Sequence, residues 1–362
     1  MLSREHIHTL IQLRHCKGNF FSKLPGELIE EIIDVEPVSN SDIAKALHHA
    51  AFARQEDVDA LLEMLEANPR LLLEAGNVIT PGGDELRRVT IYECLLGAGD
   101  YALAEMVQGY FSEIKDVDGQ TIEDAEVQRI RQYERYKPHI EGMLTQKPYN
   151  LEPLIKLIKK ATTEEVAALL NKDFTGENDL CKAIIQFRKD WAPRVLVKPG
   201  MHYNYASLKH AFELLDREWN NLYQASGNNF NKVLLVWRQL IGFEMRRLPG
   251  IDRCAMAQGL YYVIDQHEEM ARSYKFKNDD GDFPIVATDD SLDGLGGDFS
   301  VNIFGAAAKT WYSVLPRRSF CLPAPPGRIA RSARLENLCR TKTSNLQSLC
   351  SPSTDYVNNL GV

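Results

Sequence analysis

The chain has 362 residues and a mass of 41.0 kDa, room for two or three domains, and its 44% apolar and 25% charged residues exclude a disordered or fibrous polymer. A net charge of -8, from 42 basic and 50 acidic side chains, excludes a global basic field that would draw it onto nucleic acid or anionic lipid. No uncharged apolar run approaches the roughly 18–20 residues that span a bilayer. Residues 1–149 carry 15 basic and 26 acidic side chains, residues 150–308 carry 19 and 22, and residues 309–362 carry 8 and 2, so a basic tail follows an acidic body. Seven scattered cysteines, at 16, 94, 181, 254, 321, 339 and 350, include no Cys-x-x-Cys pair and fit a reducing compartment. Gln12, Arg14, His15 and Lys17 break the N-terminal stretch, so no signal-peptide apolar region is expected.

Helical periodicity predominates before residue 278. One helix is expected over Leu2 to Cys16, and a second after Ser22, with Leu28, Ile29, Ile32 and Ile33 on one face and Pro37 ending it. Ala46, Leu47, Ala50 and Ala51, then Val58, Leu61, Leu62 and Leu65, form two apolar stripes broken at Arg54 to Asp57, the pattern of two antiparallel helices. Leu71 to Leu73, Val78 to Thr80, the tip Pro81-Gly82-Gly83-Asp84 and Leu86 to Val89 read as an extended hairpin, and a second helix pair opens at Thr90. The two longest helices are expected at Leu208–Leu222 and Phe230–Met245, joined by the polar turn Ser226 to Asn229, with a third running from Pro249 towards His267. Past Lys277, seven aspartates among glycines, then a Pro- and Arg-rich stretch, read as loop, with one imperfectly amphipathic piece at Arg334 to Cys350. The expected architecture is mainly α: helix pairs with an extended β-hairpin, then a helical domain and an irregular tail, divided at 1–40, 41–148, 149–277 and 278–362.

Four strings resemble parts of known families. Lys45-Ala46-Leu47-His48-His49-Ala50-Ala51 with Asp57-Val58 and Leu61-Leu62, and Thr90 to Asp100 with Leu103, Met106 and Val107, resemble the ankyrin helix pair. Asp118 to Thr121 resembles the finger of a further repeat. The long hairpin and the missing proline of the helix-start motif depart from it, and an ordinary bundle with an Ala-rich face remains open. Leu24, Pro25, Glu27, Leu28, Ile32 and Ile33 resemble the opening of an F-box, which implies docking on Skp1 of cullin-RING ubiquitin ligases; a cap over the first helix pair would use the same apolar residues. Together with the blocks Lys275 to Gly296 and Arg334 to Thr343, the chain resembles ankyrin-type effectors that intracellular bacterial pathogens deliver through the Dot/Icm type IV system, although their glutamate-rich C-terminal patch is missing. That resemblance implies a protein-binding scaffold in host cytoplasm, with Pro81, Gly82, Gly83 and Asp84 as a target-binding finger.

Other chemistry is sparse. Asp289, Ser291, Asp293 and Gly294 fit the first half of a calcium loop, but Ser300 stands where its bidentate glutamate belongs. No His-Glu-x-x-His pair and no phosphate loop occurs, so neither metal nor cofactor is expected. The alternative is an enzyme with a Cys-centred nucleophile in residues 150–277, for instance Cys254 with His267.

Overall fold

The computed structural model describes residues 42–115, 124–171, 173–224, 231–276, 283–284 and 331–349. The described chain is mainly α, with thirteen α-helices and one three-stranded sheet. Helices α1 (Asp42–Phe52) and α2 (Gln55–Ala67) form the first pair, and their expected stripes are buried except Leu62, which is half-buried. The break falls at Ala53, whose φ of 59° turns the chain, and the Asp57 carboxylate then accepts from the Arg54 amide at 3.3 Å and from its guanidinium at 2.7 Å at the start of α2. A correction follows: Leu71 to Leu73 are a 3-10 turn (Pro69–Leu73), not strand, because Pro69 at its first position presets a helical φ.

Strands β1 (Gly76–Ile79) and β2 (Glu85–Val89) form the expected antiparallel hairpin, and β3 (Val195–Leu196) adds to β2 in parallel, a pairing that two residues cannot announce in a sequence. Helix α3 (Ile91–Ala98) starts at Thr90, whose hydroxyl accepts from the Glu93 amide while the Glu93 carboxylate accepts from the Thr90 amide, both at 3.2 Å. It stops at Gly99, at φ 72°, a left-handed cap that glycine adopts without strain. Helix α4 (Tyr101–Gly109) completes the second pair.

Helices α5 (Asp124–Glu141), α6 (Glu152–Lys160), α7 (Thr163–Leu170), α8 (Asp179–Asp190) and α9 (Tyr205–Gln224) follow. The expected second long helix runs unbroken from Asn231 to Met245 but is irregular: α10 (Asn231–Val236) passes through a π-turn at Trp237–Ile241 into α11 (Gly242–Met245). Helix α12 (Gly250–Gln258) stops at Gly259, at φ 95°, before a second π-turn at Tyr261–Asp265. A short β4–β5 ladder pairs Lys275–Phe276 with Phe283–Pro284.

Within the expected tail, the amphipathic piece at Arg334 to Cys350 is helical. Arg331–Ser348 is an 18-residue helix, α13, packed on α9 and α5 with Leu335, Leu338, Cys339, Leu346 and Leu349 buried. Buried apolar residues run as one contiguous cluster from Ile43 to Leu349. Among the described residues no helix is long and apolar enough to cross a membrane.

Candidate functional site

The hairpin is the feature on which the candidate surfaces converge. Pro81, Gly82, Gly83 and Asp84 form its tip, and the tip packs against the chain's own helices. Arg253 donates to the Pro81 carbonyl at 2.7 Å, and Arg247 to that of Gly82 at 3.1 Å. A Cβ on Gly82 would lie 2.9 Å from the Arg247 carbonyl oxygen, so only glycine permits this approach. Asp84 is buried and takes the Arg194 amide at 2.7 Å and its guanidinium at 3.2 Å. The tip residues left half-buried are Pro81 and Gly83. A cleft of about 290 Å³ beside the tip is walled by Tyr149, Asp190, Trp191, Arg194 and Arg247. Tyr149 donates to Asp190 at 2.8 Å, and Arg247 to the Trp191 carbonyl at 2.7 Å.

At its base the hairpin is irregular in a way the sequence does not signal. Gly76 pairs with Val89 and Asn77 with Arg87, so Arg88 is an inserted residue, a β-bulge. Its φ is 56°, its amide donates to the Asn77 side chain at 3.0 Å, and its side chain is exposed. An arginine held in the left-handed region costs about 1–2 kcal/mol, which glycine would avoid. Between this bulge and α5 runs a groove of about 750 Å³. Its floor is tied down: the Thr90 hydroxyl donates to Gln132 at 2.6 Å, and the Gln132 amide donates to the Leu72 carbonyl at 3.2 Å. Arg131 and Arg135, one turn apart on α5, rise beside it, and Arg135 pairs with Glu93. Arg88, Arg131 and Gln132 escape a reading of the sequence, because bulges leave no period and surface arginines no pattern.

Several buried polar groups lie near the tip. His202 is fully buried, with its amide on the Gly97 carbonyl at 2.9 Å. Burial first, then the charges of Arg194 and Lys342, push its imidazole down to about 3 from 6.5. Glu244, on α11, is fully buried with neither oxygen hydrogen-bonded, and burial holds its carboxyl well above the usual range. The two oppose each other in pH dependence. His202 stabilises fully above pH 6.5 and loses about 1.4 kcal/mol per unit as pH falls from there towards 3, since the unfolded chain alone takes up the proton. Glu244 stabilises fully below 4.5 and loses stability as pH rises towards its raised value. As pH falls from 6.5 towards 4.5 the urea midpoint of His202→Gln is expected to fall less, or rise more, than that of the wild type, because the variant lacks the proton uptake by His202 of the unfolded chain. Parallel curves for the two proteins would refute the assignment.

The thiols are poor nucleophiles. Cys94, Cys181, Cys254 and Cys339 are buried and unbridged. Burial is the leading cause that raises all four, Cys94, Cys254 and Cys339 to about 12. The Cys254 sulfur lies 4.0 Å from the Ala53 carbonyl oxygen. Leu24, Pro25, Glu27, Leu28, Ile32 and Ile33, the Asp118 to Thr121 fragment and the Asp289 to Gly294 loop fall outside the described residues. Among the described residues no group of three or more His, Cys, Asp or Glu side chains is placed to hold a metal ion. Comparison of the chain with protein-family models, curated proteins and solved structures finds no match.

Proposed function

We propose that this chain is a non-catalytic protein-binding scaffold, with the hairpin and its flanking groove as the target-binding surface. The supporting observation is the bracing of that hairpin: Arg247, Arg253 and Arg194 hold its tip and Gln132 ties its base, so the surface is ordered before a partner arrives. The alternative with a Cys-centred nucleophile is disfavoured by the raised pKa of the two thiols in residues 150–277, Cys181 and Cys254.

The proposal extends to the effector role in host cytoplasm and to the string Leu24-Pro25-Gly26-Glu27-Leu28, where a Leu-Pro knob backed by an apolar helical stripe suits burial in Skp1, bringing the bound target to a ubiquitin ligase. The expected result is that the full chain retains Skp1 from purified components, and that Leu24→Ala with Pro25→Ala reduces capture at least tenfold. No Skp1 on the wild type, at a concentration where a known F-box protein captures it, sinks the adaptor role.

A further inference from the structure

We propose that the groove between the hairpin base and α5 receives an acidic peptide segment of the target protein, read by the guanidiniums of Arg88 and Arg131 over an apolar strip at Leu73 and Ala75. This rests on the scaffold reading and adds the chemistry of what is bound.

Arg88 is the inserted residue of β2 at φ 56°, a conformation the fold itself would fill most easily with glycine. The side chain that the strained position carries is exposed and lines the groove. Across from it, α5 supplies Arg131 and Arg135 at i and i+4, like charges on one helical face that repel mildly unless something negative lies over them. Of the two carboxylates in the lining, Glu93 pairs with Arg135, and Glu134 with Lys137 at 3.6 Å. Among the described residues neither Arg88 nor Arg131 has a side-chain partner, while the strip below them exposes Ala75 and 36% of Leu73. Two spaced guanidiniums over an apolar strip match carboxylates flanking an apolar side chain, because arginine engages carboxylates through paired donors.

The surroundings select the class of partner. Residues 1–149, which supply the whole groove, carry a net charge of -11, so a groove lined by Arg88, Arg131 and Arg135 against Glu93 and Glu134 is a slightly basic exception in an acidic field. A long polyanion such as nucleic acid would be repelled beyond the groove, whereas a short acidic peptide fits within it.

The test is fluorescence anisotropy on the full chain, with a fluorescein-labelled peptide of core Glu-Glu-Leu-Glu-Glu, its Lys-Lys-Leu-Lys-Lys counterpart and a labelled single-stranded oligonucleotide. The wild type should bind the acidic peptide, with affinity falling as salt rises, and bind the lysine peptide at least tenfold more weakly. Arg88→Gly and Arg131→Gln should each weaken acidic-peptide binding about fivefold to tenfold. Because glycine relieves the strained backbone, Arg88→Gly should unfold at an unchanged or higher temperature, separating lost binding from lost fold. No binding of the acidic peptide, equal binding by both variants, or tighter binding of the oligonucleotide would overturn the proposal. Skp1 capture is read separately: retained Skp1 with no peptide binding removes the groove and leaves the scaffold, and the reverse removes the adaptor role alone.

Discussion

Lys342→Met is expected to lower the stability of the chain by about 3–5 kcal/mol, the cost of leaving one member of a buried ion pair without its partner. Lys342 of α13 and Asp252 of α12 are each about 2% exposed, and the Lys342 Nζ donates to the Asp252 carboxylate at 2.5 Å. The same nitrogen donates to the Tyr205 hydroxyl at 3.0 Å and the Ala98 carbonyl at 3.3 Å, and Tyr205 in turn donates to Asp252. One ammonium thereby joins α13 to α3, α9 and α12. Methionine keeps the stem's packing and removes only the charge and donors, so the loss reports the electrostatics. The double variant Lys342→Met, Asp252→Asn should recover more than half of it, because no uncompensated charge then stays buried. Urea denaturation at pH 7 reads both; a single-variant loss below about 1 kcal/mol would mean that water reaches the pair.

Gly250→Ala is expected to cost about 3 kcal/mol, the upper part of the range for overpacking, because the atoms in the way are backbone. A Cβ at Gly250 would stand 2.3 Å from the Phe52 carbonyl oxygen and 2.4 Å from that of Ala51. The start of α12 is pressed onto the end of α1, where several groups from residues 250–274 converge. Tyr274 donates to the Phe52 carbonyl at 2.6 Å, Arg272 to that of Ala53 at 3.2 Å, and the Gln55 amide to the Arg272 carbonyl at 2.8 Å. Alanine must push α12 away and loosen that set together. Gly109, at the end of α4, is the control: its Cβ would meet nothing within 4 Å, so Gly109→Ala should stabilise by about 0.5–1 kcal/mol. Thermal unfolding of the two variants should move in opposite directions, and equal shifts would refute the packing argument.

How much of this was legible in the sequence depended on whether the residues obeyed a simple inside–outside rule. The helix pairs were, because alanines and leucines at 3,4 spacing have only one place to go, and the second pair was expected to open at Thr90, as it does. Helix α13 was not, and Lys342 explains why. Leu338, Lys342 and Leu346 are successive four-residue steps of one buried stripe, and a lysine in the middle makes that stripe look broken. The long helix expected through Met245 is present, but its π-turn at Trp237–Ile241 was not legible, because one extra residue in a turn leaves no period of its own. Of the candidate site, the tip was readable from its glycines. The groove was not, since it depends on a bulge and on a helix 36 or more residues further along the chain.

The position of α13 also decides when the molecule can finish folding. Its carbonyl at Leu349 accepts from Arg129 at 2.9 Å, Arg334 bonds Asp265 at 2.6 Å, and Lys342 reaches a carbonyl at Ala98, 244 residues earlier. Contacts of that sequence separation form slowly, because a long loop must close before any of them gives a return. During synthesis the body emerges with Asp252 lacking its cation and with the floor for α13 uncovered, and it stays in that state until residue 349 has cleared the ribosome. The last helix is thus the step that closes the fold, and a chain ending before residue 331 holds nearly all the sequence of the body without the charge that completes its interior.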